Sequence, residues 1–314
     1  DGGGVLSVAM SGNANNLVAS AGREGGVKLF KLTMPPPGGG EGGGEMGELT
    51  CIGDVPSLKR PLPGVTPILV TCLRFDSSGR LFLGGQDGHL RMVTFEDDEE
   101  MKVSVLSSPQ QQLRQPPSPI LSLDVSEELD VVATAHANGN VCIHSTNPDN
   151  DHVGVWNPFA DTNNPCHARS VAFVQQDDDE WSIVVGGGDG SLWMQDIHPS
   201  YIPTRDVDDE ASNNMPSSET SIFKENSMQQ IEPSHQGPVV SLASRPGGIL
   251  VSAGHDGMLR VTRLWPSPMA LYGLGGYKVW IGSVCIDPEG RRLLSDGRDD
   301  VVVVHDFSEE EGCD

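Results

Sequence analysis

Short apolar runs separated by small residues recur along the chain and determine the predicted secondary structure. Six segments share one pattern: an apolar run, small residues, an acid or amide followed by glycine in five of the copies, and a second apolar run. Val, Leu and Ile suit a pleated, half-buried surface, and Asp-Gly or Asn-Gly suits a tight turn between strands. Each segment is therefore predicted to be a β-hairpin. The six segments are residues 17–30, 81–93, 131–143, 183–194, 250–261 and 293–304.

One acid or amide aligns at the bend of every predicted hairpin. Short polar side chains of this kind hydrogen-bond the backbone of a tight turn. We expect these residues to have a structural role in the turns. They are Glu24, Asp87, Asn138, Asp189, Asp256 and Asp299.

Two further strands are predicted to complete each repeat. A first strand of alternating character precedes each hairpin, at residues 5–11, 69–76, 120–126, 169–174, 239–244 and 282–288. Weaker fourth strands are expected near residues 49–53, 101–106, 152–156, 228–231 and 269–272. Successive turn residues lie 43 to 67 positions apart, and the shortest interval fits a propeller repeat of roughly 40–45 residues. The sequence predicts an all-β fold: a β-propeller of four-stranded antiparallel blades, with six blades visible.

The repeats resemble WD-repeats over nearly the whole chain. The resemblance rests on an Asp-x-x-Gly turn after the first strand, a small-residue second strand, an acid in the hairpin turn and an apolar third strand. Asp196 and Asp306 keep the Asp that ends the third strand, but the preceding Trp is absent from both copies. The resemblance implies an architecture and identifies no subfamily.

The whole of residues 1–314 is expected to form one WD-repeat-like propeller domain. Pro-rich, Gly-rich and polar stretches predict flexible insertions at about 34–48, 56–66, 107–118 and 198–227. The pattern starts at a first strand and stops after a third. We therefore expect the closing strand, or a seventh blade, to lie upstream of Asp1, because propellers hide their exposed strand edges.

Composition narrows the classes of function. The net charge is −24, from 44 acidic and 20 basic side chains, and such a field repels nucleic-acid phosphates. No apolar stretch approaches the roughly 18 residues of a membrane span. The six cysteines are far apart and form no CxxC pair, which favours reduced thiols and an intracellular or organellar setting. The resemblance to WD-repeat proteins implies the cytoplasm or nucleus. An organelle, after removal of a targeting peptide, stays open.

No motif indicates catalytic, cofactor or metal chemistry. The histidines form no HExxH motif and no His–Cys pair with zinc-finger spacing. The resemblance implies that His235, just before a first strand, hydrogen-bonds within its blade. The glycine runs at 38–44 and 186–190 lack the strand–helix context and the Lys of a phosphate loop. We predict no catalytic residues, no cofactor and no metal.

Docking of other proteins is the expected function. In WD-repeat proteins the turns between the second and third strands share a face with the connections between blades. The resemblance assigns Arg169 and a partner-binding set to that face, and the acidic runs 96–100, 127–128, 177–180 and 206–210 to the opposite one. Arginine binds acidic or phosphorylated peptides in bidentate fashion. The partner-binding set is Arg23, Gln86, His255, Arg298, Lys278 and Trp280.

Three functional hypotheses follow. The first is a non-catalytic scaffold or adaptor subunit of a larger complex. The second is the substrate-recognition subunit of a ubiquitin ligase, although the Asp-x-Arg ending typical of such receptors is missing from the third strands. The third is an enzyme with a propeller fold, which requires acidic or histidine side chains converging on the central channel.

Overall fold

The regular structure of the chain is β-strand, and the described residues contain no α-helix. The computed structural model describes residues 4–12, 16–34, 47–56, 68–96, 100–106, 116–148, 154–160, 165–176, 180–198, 222–245, 247–275, 277, 280–287, 290–296 and 301–307. Within this part of the chain, no helix is long and apolar enough to cross a bilayer.

The strands form six antiparallel sheets in chain order, each of which is one blade. Blade 1 contains β1 (Val5–Met10), β2 (Leu17–Gly22), β3 (Val27–Thr33) and β4 (Glu48–Asp54). Blade 2 contains β5 (Val70–Phe75), β6 (Leu81–Gly85), β7 (Leu90–Glu96) and β8 (Glu100–Val105). Blade 3 contains β9 (Ile120–Ser126), β10 (Val131–His136), β11 (Val141–Ser145) and β12 (Gly154–Trp156).

The other three blades follow the same order. Blade 4 contains β13 (Ala168–Gln175), β14 (Trp181–Gly187), β15 (Leu192–Ile197) and β16 (Gln229–Ile231). Blade 5 contains β17 (Val239–Arg245), β18 (Ile249–Gly254), β19 (Leu259–Arg263) and β20 (Met269–Leu274). Blade 6 has three described strands, β21 (Val284–Ile286), β22 (Arg292–Asp296) and β23 (Val302–Asp306). The predicted propeller of six visible blades is confirmed.

Apolar side chains fill the space between consecutive blades. Five hydrophobic clusters occupy the five interfaces from blade 1–blade 2 to blade 5–blade 6. Leu29 of blade 1 and Leu83 of blade 2, both fully buried, belong to the first cluster. Successive side chains of a strand point to opposite faces of its sheet. A blade that lies between two others is buried on both faces, and both faces are therefore apolar.

A side-chain hydrogen bond joins the first strands of each consecutive pair of blades. Small polar residues on these inner strands reach the backbone of the neighbouring blade, so blade spacing is set by hydrogen bonds as well as by packing. The five contacts are Leu73 N to Ser7 Oγ (3.1 Å), Thr71 Oγ1 to Ile120 O (2.5 Å), Phe173 N to Asp124 Oδ2 (2.9 Å), Ser170 Oγ to Val239 O (2.9 Å) and Ser241 Oγ to Val284 O (3.3 Å).

Among the described residues, the outer faces of blades 1 and 6 have no such partner. No hydrophobic cluster of the described residues joins these two blades. Val8 and Met10 on β1 are 59 % and 56 % exposed, and Val302 and Val304 on β23 are 62 % and 55 % exposed. Two apolar sheet faces therefore stay in contact with solvent. The expected closing strand or seventh blade upstream of Asp1 stays a prediction.

The hairpin turns explain the repeated acid or amide. In four blades this side chain accepts a hydrogen bond through Oδ1 from the backbone N–H two residues later. The next residue is a glycine with positive φ. The four residues are Asp87, Asn138, Asp189 and Asp256. Glu24 is exposed in the turn of blade 1, and Asp299 lies outside the described residues.

Most of the expected insertions also lie outside the described residues. The end of the insertion expected at about 198–227 is described, and it packs on the propeller. Ile222 is buried in the cluster between blades 3 and 4. Phe223 pairs with Ile197 in an isolated bridge and lies against Trp156.

Candidate functional site

The turns between second and third strands lie on one face of the propeller, which we call the connector face. In five blades a backbone N–H of this turn donates to the carbonyl of a residue just before or at the start of the first strand of the same blade. The five donor–acceptor pairs are Arg23–Gly4, Gln86–Leu69, Ala137–Pro119, Gly188–His167 and His255–Pro238, at 2.8 to 3.0 Å. The turns and the connections between blades therefore share this face.

A central channel of about 930 Å³ opens at the connector face. Residues of all six first strands line it, Arg169 of β13 among them, together with Arg23 and His255. Arg23 and His255 come from hairpin turns, and Arg169 is the second residue of β13. We call these three residues, with Trp280, the channel mouth.

The two arginines of the channel mouth differ from the other arginines near hairpin turns. Arg91 binds Asp87 at 2.5 Å, and Arg260 lies 3.8 Å from Asp256. Neither Arg23 nor Arg169 forms an ion pair with any carboxylate in the described ranges. Within the described ranges, their guanidinium groups therefore have no carboxylate partner.

An aromatic pair lies beside these arginines. The rings of His255 and Trp280 stack with centroids 4.8 Å apart and an interplanar angle of 12°. Trp280 is 67 % exposed. Partial burial, with the positive charge of Arg169, lowers the pKa of His255. At neutral pH His255 therefore acts mainly as a neutral ring that supports Trp280, and the positive charge of the mouth comes from the arginines.

The acid next to His255 is already engaged within blade 5. Asp256 accepts hydrogen bonds from His235 Nδ1 at 2.9 Å and from Gln236 N at 3.0 Å. His235 Nε2 lies 2.8 Å from Ser252 Oγ. Burial opposes ionisation of Asp256, but the hydrogen bonds from His235, Gln236 N and Met258 N and the charge of His235 together outweigh it, so the pKa of the carboxyl is lowered. This network joins the connector before β17 to β18, which is the role expected for His235.

The structure brings together only part of the expected partner-binding set. Arg23, His255 and Trp280 lie at or beside the channel mouth, whereas Gln86 is exposed in its turn and does not line the channel. Arg298 and Lys278 lie outside the described residues. Arg169 was assigned to this face but was not nominated for binding, because its position on β13 carries no turn signal.

The acidity expected on the opposite face is described only in part. Residues 97–99, 177–179 and 206–210 lie outside the described residues. Glu127 and Glu128 follow β9 and accept hydrogen bonds from Ser77 of blade 2 and Gln175 of blade 4, respectively. These two carboxylates link blades, and the separation of charge between faces stays a prediction.

The six radial antiparallel blades define a β-propeller. A family model for the WD domain, G-beta repeat, matches residues 58–93, a range that contains β5 and β6 and most of β7. The match covers part of one repeat, and together with the six blades it supports a WD-repeat propeller. No curated protein shows a significant sequence match to the chain. WD-repeat propellers generally serve as platforms for protein–protein interaction.

Proposed function

We propose that this chain is a non-catalytic interaction scaffold that docks an acidic or phosphorylated peptide on the channel mouth. The observation that carries the proposal is the pair Arg23 and Arg169, which line the channel without an ion-pair partner among the described residues. Trp280 supplies an exposed aromatic anchor next to them.

The chemistry of the mouth suits an oxyanion. A guanidinium group binds a carboxylate or phosphate through two parallel hydrogen bonds, which are stronger than neutral ones. The net charge of −24 opposes an acidic ligand at long range, but charges are screened beyond about 8 Å at physiological ionic strength. The two local arginines therefore determine whether the ligand binds once it is in contact.

A peptide array tests the proposal. Acidic peptides, their phosphoserine forms and neutral counterparts are screened against the full chain, and hits are measured by fluorescence polarisation. We expect Arg23→Glu with Arg169→Glu to weaken a hit at least tenfold, and Trp280→Ala to weaken it without loss of stability.

Lys28→Glu is the matched control, because Lys28 is an exposed cation of blade 1 that does not line the channel. It changes the net charge in the same direction and should leave affinity nearly unchanged. If Lys28→Glu and a single Arg23→Glu weakened peptide binding equally, net charge alone would explain the effect. Specific binding at the channel mouth would then be refuted. An array without acidic or phosphorylated hits would refute the choice of ligand.

A further inference from the structure

The hairpin of blade 3 buries two imidazoles and a thiol on one face. His136 ends β10, while Cys142 and His144 lie on β11. Thr134 and Cys142 are directly opposed across the two strands. Side chains two residues apart on a strand share a face, so all four side chains point the same way, as does Val132, which packs on blade 2. The group is almost completely buried between blades 2 and 3.

The hydrogen bonds indicate how the imidazoles are oriented. His136 Nδ1 lies 2.9 Å from the Ser118 carbonyl, so it carries the proton and donates it. His136 Nε2 consequently has its lone pair directed into the cluster, where it lies 2.9 Å from Thr134 Oγ1. His144 Nε2 is also 2.9 Å from that same hydroxyl oxygen. Two imidazole nitrogens therefore converge on one point.

We propose that His136, Cys142 and His144 bind Zn²⁺, with Thr134 Oγ1 as the fourth donor. One ligand atom from each of the three residues lies within 4.8 Å of the others. Tetrahedral zinc, with Zn–N of about 2.0 Å and Zn–S of about 2.3 Å, holds its ligand atoms roughly 3.3–3.7 Å apart. The ligand atoms therefore need to approach one another by up to about 1.5 Å when the metal binds.

Two features of the surroundings match a structural zinc site. The hydrogen bond from His136 Nδ1 to the Ser118 carbonyl is the usual second contact of a metal-binding histidine. The almost complete burial of the cluster leaves no open coordination position, which is typical of a structural rather than a catalytic metal.

The order of the ligands explains why the sequence did not indicate this site. The spacing is His-x5-Cys-x-His, which matches no zinc-finger pattern. The residues meet only because the turn at Asn138 folds β11 back onto β10 in a register that opposes Thr134 and Cys142. The expectation of no metal rested on the spacing of His and Cys along the sequence, whereas this cluster is formed across two strands.

Metal analysis and cobalt spectroscopy test the proposal on the full chain. Protein refolded with Zn²⁺ and dialysed against metal-free buffer is expected to retain one equivalent. Co²⁺ in its place should give the visible bands of a tetrahedral site and a thiolate charge-transfer band. Cys142→Ser should abolish that band and weaken Zn²⁺ binding by more than the roughly 10- to 100-fold that loss of an outer-shell contact costs.

Cys72→Ser is the matched control, because Cys72 is a channel-lining cysteine outside the cluster, and it should bind Zn²⁺ as the unmodified chain does. The wild-type cobalt spectrum keeps the test decisive even if Cys142→Ser does not fold. Absence of the charge-transfer band, or substoichiometric zinc in the wild-type chain, would show that the cluster is only a hydrogen-bond network and would overturn the proposal.

Discussion

Replacing Gly190 by Ala tests how the hairpin turns and the connectors hold adjacent blades together. Gly190 has a φ of +93°, a conformation that costs an L-residue about 1–2 kcal/mol. An added Cβ would also lie 2.9 Å from the His235 carbonyl carbon and 3.0 Å from Gly237 O, and closer still to His235 O. These atoms belong to the connector of the next blade, so the turn of blade 4 packs against the start of blade 5.

The cost of this contact can be separated from the cost of the backbone conformation. Gly26 has a similar φ of +88°, but a Cβ there would meet no atom within 4 Å. Gly26→Ala should therefore lower the free energy of unfolding only by the cost of the backbone conformation, about 1–2 kcal/mol. Gly190→Ala should lower it by that amount plus about 1–3 kcal/mol, because the added Cβ forces the connector away. This displacement also disturbs the hydrogen bond from His235 N to Gly190 O, which is 2.9 Å long.

Urea unfolding followed by tryptophan fluorescence and circular dichroism measures both variants. We expect a lower midpoint for Gly190→Ala than for Gly26→Ala, with unchanged m-values. Equal losses for the two variants would show that the connector yields without cost, and the reasoning from close approach would then be wrong.

Two further predictions concern the network of blade 5. Asp256→Asn places an amide N–H₂ opposite the donor His235 Nδ1 or Gln236 N, so it should lower the unfolding free energy by about 1–3 kcal/mol. Asp189→Asn keeps the Oδ1 acceptor of an exposed turn and should change the unfolding free energy by less than about 0.5 kcal/mol. Comparable losses in the two variants would contradict the role of the network. Burial lowers the pKa of His235, so the unfolded chain binds a proton more readily; stability should be complete above the unfolded value of about 6.5 and should fall as the pH drops below it. Urea midpoints measured from pH 8 to pH 5 should show a flatter dependence for His235→Gln than for the unmodified chain, and identical slopes would refute the assignment.

The blades could be predicted from the sequence because each is built from local hairpins. The pattern of apolar residues in 17–30 and in the five other hairpin segments shows which side chains are buried. The acid or amide shows where each hairpin bends. The link between His235 and Asp256 was partly anticipated, since the resemblance implied a hydrogen bond for that histidine within its blade.

Contacts that depend on the path between blades could not be predicted. The stack of His255 on Trp280 requires the position of the connector into blade 6, which carries no periodic signal. The burial of Ile222 could not be predicted, because Ile222 and Phe223 are a short apolar pair in a polar stretch. Such a pair does not indicate where it packs. The convergence of His136 and His144 depends on cross-strand register, which is set by the turn.

No described residue packs a hydrophobic cluster between blades 1 and 6, so residues 1–314 on their own should unfold as a linear array of blades. Blades 2 to 5 each share two apolar interfaces, whereas the two terminal blades of this arrangement share one. In such arrays stability is roughly a sum of unit and nearest-neighbour contributions, so fraying is expected to begin at blades 1 and 6. Amide hydrogens of β10 and β14 should consequently exchange most slowly, and those of β1 and β23 most rapidly.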